Sequence, residues 1–192
     1  MTDLRFTLAV VCTANRFRSP LAAALIRAEV AALPVDVTSF AASGRSGAAA
    51  LRQALERGAP LGVDLGSHVS TRLGAGQLAG ADLVLGFERT HVAHAVVDGG
   101  APRERTFTLP EFVPLAESVE VPPGRDPVSR AREVVAAAAA ERRDRAGAGL
   151  AELADPAGGP ERGYDEAARA VDHLSRRLVH VLFGAEGTSS AW

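Results

Sequence analysis

Residues Phe6 to Val11 (FTLAVV) form an apolar, β-branched run, the pattern of a buried strand. A short polar stretch follows. The chain then turns helical over about Pro20 to Ala32, with Leu21, Leu25 and Ala28 on one face. Val35 to Phe40 (VDVTSF) alternates as a second strand. Gly44 to Gly47 reads as a turn, about Ala48 to Arg57 as a helix stopped by Gly58, and Gly62 to Thr71 as irregular chain. Ala81 to Phe87 is a third buried strand, about Thr90 to Val97 a helix, and Arg105 to Leu109 a fourth strand. Two helices close the pattern. One covers about Pro127 to Arg145, with Val128, Ala131, Val135 and Ala138 along a face. The other covers about Glu161 to Phe183, with Ala167, Val171, Leu174, Leu178 and Val181 at a 3–4 spacing. Gly184 to Trp192 reads as a loose tail, and no internal repeat is present.

Strands that alternate with helices predict an α/β fold. The expected architecture is a three-layer α/β/α sandwich around a four-stranded parallel sheet. Ligands of such sheets bind at the carboxyl ends of the strands, which is where Cys12 falls. The 192 residues suffice for one domain with a proper core, expected over residues 1–184 with residues 185–192 as a flexible tail. No apolar run approaches a membrane span, and the N-terminus lacks the pattern of a signal peptide. The single cysteine excludes an internal disulfide and fits a reducing cytoplasm. A net charge of −2 gives no bulk attraction to nucleic acid. All 21 basic residues are arginine, which with abundant alanine and glycine suggests a GC-rich bacterial genome.

The stretch CTANRFRSP, Cys12 to Pro20, carries the chemistry. It leaves a strand and enters a helix, with Ser19 expected as N-cap and Pro20 at the first helical position. Backbone N–H groups of such a loop have no helical partners and can bind phosphate. A thiolate at the base of that cradle is stabilised by the same groups and by the helix dipole, which makes Cys12 a candidate nucleophile. Arg18 offers a planar fork for two phosphate oxygens. Ser19 can donate to the sulfur, and Asn15 can brace the loop from inside. Phosphate transfer to cysteine also needs an acid for the leaving oxygen. Two Asp-Pro pairs compete for the role. Asp155 lies in a Gly-rich loop, whereas Asp126 precedes a well-patterned helix and reads as an ordinary cap. His91 and His94 share a helix face without an evident third ligand, so no metal site is expected. His68, His173 and His180 read as surface or partly buried polar residues. The Arg142-Arg143-Asp144-Arg145 cluster reads as a solvated helix end.

Together these segments resemble the low-molecular-weight protein-tyrosine phosphatase family, which shares its fold with thioredoxin-type arsenate reductases. VCTANRFRSPLAAALIR is similar to the family's opening, and ADLVLGFERTHVAHAV to its third strand and following helix. RTFTLPEF looks like the fourth strand and ADPAGGPERGY like the acid loop, with an apparent insertion over about 114–150. Residue by residue, the resemblance implies Cys12 as nucleophile, Arg18 as phosphate-binding arginine and Asp155 as proton donor. Thr13, Ala14, Asn15, Arg16, Phe17 and Ser19 complete the phosphate-binding and supporting loop. It implies no cofactor and no metal. The implied partner is a phosphorylated protein or a small phosphorylated substrate, with no nucleic acid or membrane.

The sequence departs from the family pattern at several points. Ala14 replaces the loop glycine, Phe17 a second cysteine, and Arg16 a residue that shapes the pocket. Arg16 would either repel a phosphoarginine side chain and favour substrates with a second anionic group, or point into solvent or pair with a nearby carboxylate. Ala157 stands where a tyrosine usually walls a phosphotyrosine pocket. The leading expectation is a protein-tyrosine phosphatase that works through a phosphocysteine. A phosphatase of small metabolites is an alternative. An arsenate reductase would need an external thiol, because Cys12 has no partner cysteine. A phosphopeptide-binding module would need neither thiol nor acid.

Overall fold

The computed structural model describes residues 5–121, 126–144 and 151–184. Four parallel strands form one sheet in the order β2-β1-β3-β4. The first, β1 (Phe6–Cys12), is central. It pairs with β2 (Val35–Ala41) from Phe6↔Val35 through Cys12↔Ala41, so both strands end level at the thiol. On its other side β1 meets β3 (Leu83–Gly86), which pairs with β4 (Thr106–Thr108). This is the α/β/α sandwich on a four-stranded parallel sheet that the alternation of elements predicts.

The two-residue period of β1 divides the core. Phe6, Leu8, Val10 and Cys12 enter the larger cluster. There they meet α1 (Arg18–Glu29), α4 (Leu109–Glu117), α5 (Pro127–Asp144) and α6 (Glu161–Phe183) through Leu21, Phe112, Val135 and Leu182. Ala9 and Val11 face the opposite side, with Phe40, Val84, Leu78 and Ala95 of α3 (Arg89–Val97). The short α2 (Arg52–Gly58) packs on α6. Among the described residues no helix is long and apolar enough to cross a membrane.

Several boundaries differ from the sequence reading. Helix α1 begins at Arg18, with Phe17 at the cap position and no side-chain cap. Ser19 therefore lies inside the first turn, and its hydroxyl is free to serve the thiol instead of the helix end. Residues 48–51 are not helical. Ala49 bridges Val69, and the Leu51 amide donates to the Arg16 carbonyl at 2.8 Å, which holds this segment extended beside the phosphate loop. The fourth strand stops at Thr108, because α4 starts at once. There the Glu111 amide donates to Thr108 Oγ1 at 3.1 Å, and the Thr108 amide donates to Glu111 Oε2 at 3.2 Å.

Arg142 is not part of a solvated helix end. Its guanidinium lies 3.9 Å from the centre of the Phe107 ring and donates to the carbonyls of Thr106 (2.8 Å) and Arg103 (2.9 Å). Burial, with Arg103 adding to it, lowers its pKa to about 10. Asp126 caps α5 as expected, its Oδ1 accepting the Ser129 amide at 3.0 Å. The suggested insertion at 114–150 runs from the end of α4 through α5, and its residues 122–125 and 145–150 lie outside the described residues. The suggested tail at 185–192 lies outside them too.

Candidate active site

The loop from Thr13 to Phe17 joins the end of β1 to α1 at the carboxyl edge of the sheet. Asn15 has φ 54, the only positive φ of a non-glycine residue among those described. Ala14 has no such φ, so the loop needs no glycine there. The turn at Asn15 aims its amide at Cys12 Sγ, at 3.3 Å. Ser19 Oγ donates to the same sulfur at 3.0 Å.

The fully buried Asn15 side chain fixes that serine. Its Nδ2 donates to Ser19 Oγ and to Ser39 Oγ, both at 2.9 Å, while its Oδ1 accepts the Thr71 amide at 3.0 Å. The bracing thus runs outward to β2 and the 68–71 segment rather than to the loop's own backbone. His68 joins it through a 2.8 Å contact between Nε2 and the Asn15 carbonyl. The amides of Ala42 and Ser43 donate to the carbonyls of Cys12 and Thr13 at 2.8 and 2.9 Å.

Arg18 is 1 % exposed, and its guanidinium satisfies four acceptors. Nη1 donates to Glu88 Oε1 and, at 2.8 Å, to the Leu153 carbonyl. Nη2 donates to Asp155 Oδ2 at 2.5 Å and to Thr13 Oγ1 at 3.1 Å. The Phe87 ring lies beneath it, 5.5 Å from centroid to Cζ. Residues 151–157 reach the site because the Leu153 amide donates to the Phe87 carbonyl at 2.8 Å, at the end of β3. Asp155 Oδ1 accepts the Ala157 amide at 3.0 Å, which sets the carboxylate's direction.

The fold therefore brings together Cys12 and Arg18, six positions apart across one loop, with Asp155 from a distant part of the chain, and with Thr13, Asn15 and Ser19 around them. Asp126 is not among them. Phe17 turns into the core and packs edge-to-face on Tyr164, centroids 5.2 Å apart. The Tyr164 hydroxyl accepts the Gly158 amide at 3.3 Å, so this aromatic pair links the loop to the Asp155 segment. Arg16 is half-buried, and its Nε donates to the Ala49 carbonyl at 2.8 Å.

Two further residues join the site: Glu88, which the sequence reading does not name, and His91, which it weighs only as a metal ligand. Glu88, at the start of α3, pairs with Arg18. His91, one turn further, is 2 % exposed. Its Nδ1 accepts the amides of Phe87 and Glu88 at 3.2 and 3.1 Å, and its Nε2 lies 3.0 Å from Thr13 Oγ1. Gly86 makes room for it, since a Cβ there would lie 2.8 Å from His91 Cβ. Burial lowers the His91 pKa to about 4, with the Arg18 charge acting in the same direction. The available signal was the strand-to-helix junction GFERTH, which places Glu88 and His91 at the same sheet edge as Cys12.

A thiol held by converging donors beside a buried guanidinium and a carboxyl is suited to cysteine-dependent phosphoryl transfer, and this chain is a cysteine-based phosphatase. It belongs to the low molecular weight phosphotyrosine protein phosphatase family, whose family model matches residues 7–144. No curated protein matches the chain. Solved structures do. The YwlE arginine phosphatase of Geobacillus stearothermophilus is 26 % identical, with 90 % of each chain covered and a TM-score of 0.65. A low molecular weight protein tyrosine phosphatase of Bacillus subtilis is 25 % identical over 94 % of this chain and 99 % of its own, with a TM-score of 0.66. The corresponding protein of T. tengcongensis is 24 % identical over 91 % and 98 %, also at 0.66.

Proposed function

We propose that this chain hydrolyses phosphotyrosine in proteins through a phosphocysteine formed on Cys12. The observation that carries the reading is the convergence of Ser19 Oγ and the Asn15 amide on Cys12 Sγ, beside an Arg18 that already holds Asp155. An incoming phosphoryl group takes Arg18 Nη2 from Asp155, and the freed carboxylate, now beside the leaving oxygen, takes up the proton that the Cys12 thiol gives up. The Cys12 thiolate attacks phosphorus, the bond to the leaving oxygen breaks, and Asp155 delivers a proton to that oxygen. Water then attacks the phosphocysteine while Asp155 accepts its proton. The sulfur departs with the electron pair, stabilised by Ser19 and the Asn15 amide. Glu88 and the Leu153 carbonyl hold Arg18 Nη1 throughout.

The same reading takes residues 1–184 as one phosphatase domain, with α5 inserted between β4 and the acid loop. The packing of α5 on α4 and α6 supports this. The lone thiol supports a reducing bacterial cytoplasm as its compartment. Hydrolysis of a small phosphorylated metabolite is the second reading, favoured by Ala157, which leaves no aromatic wall after Asp155-Pro156.

Turnover of p-nitrophenyl phosphate, a phosphotyrosyl peptide, phosphoarginine and a panel of phosphorylated metabolites separates these readings. Cys12→Ser should abolish hydrolysis, and chelator should leave it intact. Rapid quench of the unmodified protein should trap phosphate on Cys12. A Cys12→Ser protein with full activity would overturn the mechanism, and preference for phosphoarginine or a metabolite would overturn the substrate.

A further inference from the structure

We infer that the Thr13 hydroxyl is a side-chain donor to the bound phosphoryl group, and that neutral His91 is the positioning residue that keeps it one. The inference rests on the phosphatase reading above. A hydroxyl carries one hydrogen and two lone pairs. Two groups approach Thr13 Oγ1: Arg18 Nη2 at 3.1 Å and His91 Nε2 at 3.0 Å. A guanidinium can only donate. The imidazole must donate here too. Its Nδ1 accepts two backbone amides, from Phe87 and Glu88, and therefore bears no hydrogen. In the neutral ring the hydrogen then sits on Nε2. Both acceptor directions of Thr13 Oγ1 are thus taken by N–H groups, and its own hydrogen can point at neither.

That hydrogen has no partner among the described hydrogen bonds, although Thr13 is half-buried and adjoins Cys12. Arg18 Nη2, which touches Thr13, is also the nitrogen that holds Asp155. A phosphate oxygen that displaces Asp155 from this nitrogen comes within reach of Thr13 Oγ1. The leftover hydrogen then meets an acceptor. A donor fixed before the reaction by two other donors needs no reorganisation as charge builds on the equatorial oxygens. The other titratable groups facing His91 are Glu88, Asp155, Glu152 and His94. Burial and Arg18 outweigh the carboxylates and keep the ring neutral above about pH 4, which preserves this arrangement at neutral pH.

The test combines calorimetric titration with inorganic phosphate and steady-state kinetics on p-nitrophenyl phosphate. Thr13→Val keeps the shape and removes the hydroxyl. It should weaken phosphate binding and lower kcat/KM by about tenfold or more, the usual loss for a hydrogen bond to a charged group. Thr13→Ser, which restores the hydroxyl, should recover most of that loss. His91→Asn keeps an acceptor for the Phe87 and Glu88 amides but is too short to reach Thr13. It should lower both quantities in the Thr13 background and add nothing to Thr13→Val, since the two act as one unit. Phosphate affinity and kcat/KM within twofold of the unmodified protein in Thr13→Val would overturn the inference, as would fully additive losses in the double variant. A protein that loses phosphate with Thr13→Val yet hydrolyses no phosphomonoester would support this inference and overturn the phosphatase reading.

Discussion

At the scale of single residues, the site works by fixing groups through their neighbours. Ser19 reaches the sulfur because Asn15 donates to the serine oxygen, and Asn15 holds its turn because Ser39 and Thr71 hold its amide. His91 is the titratable member of this scaffold. Its pKa is lowered from 6.5 to about 4, first by burial and then by Arg18, against the opposing pull of Glu88 and Asp155. Unfolding releases the ring to bind a proton below pH 6.5. The unfolded state therefore holds more protons between 6.5 and 4, and stability falls as pH falls through that window. The full effect is roughly 3 kcal/mol, complete below about pH 4 and absent above about 6.5. Urea unfolding at a series of pH values should show this slope in the unmodified protein and a flatter one in His91→Asn. Parallel slopes in the two proteins would show that His91 titrates alike folded and unfolded.

At the scale of elements, two aspartates before prolines have different surroundings. Asp155 is held at Arg18 by a loop pinned to the end of β3, whereas Asp126 is exposed and accepts the Ser129 amide of its own helix. Asp155→Ala should lower kcat by about 10²–10⁴-fold, and less for substrates with very good leaving groups. Asp126→Ala should leave kcat unchanged and lower stability through the loss of a helix cap. Kinetics and urea midpoints for both variants check the assignment, which fails if their effects are exchanged. The sequence could separate these residues because capping and loop chemistry are local. It also revealed Cys12, Arg18 and Ser19, since one strand, one turn and one helix start place all three. It concealed α4, because Pro110 and Pro114 look like breakers until Thr108 is recognised as its cap and Pro110 as lying in its first turn. The parts that Glu88 and His91 play in the site are hidden for a different reason. Their partners Arg18 and Thr13 lie 70 and 78 positions away, and only the β1–β3 pairing brings the ends of those strands together.

Across the whole molecule, chemistry and stability sit at opposite ends of the strands. The carboxyl ends carry Cys12 and the Glu88 junction. The amino ends are tied by Asp82, which is 8 % exposed at the entry to β3. Its Oδ2 accepts the Thr7 amide at 2.9 Å, and its Oδ1 accepts Arg132 Nε of α5 at 2.8 Å. Arg132 Nη2 also donates to the Arg5 carbonyl at 3.0 Å, so α5 is fastened to the sheet at the end remote from the thiol. Burial alone would raise the Asp82 pKa, but the hydrogen bonds from Arg132 and Thr7 outweigh it and hold the carboxyl below 3.8. A carboxyl depressed in this way contributes stability above its unfolded value, and that contribution is lost as pH falls below about 3.8 towards the folded value. Acid should therefore weaken the protein in two steps, His91 between 6.5 and 4 and Asp82 below that. Arg132→Met should lower stability at neutral pH by roughly 1–3 kcal/mol, because it leaves a nearly buried carboxylate with Thr7 alone. It should also blunt the second acid step while leaving the first in place. Because the pair lies at the far ends of the strands from Cys12, kcat for p-nitrophenyl phosphate should match that of the unmodified protein. Urea unfolding from pH 7 down to 3, with kinetics at pH 6, checks all three expectations. A large fall in kcat without a fall in stability would mean that α5 acts on the site and does not serve only to hold the sheet.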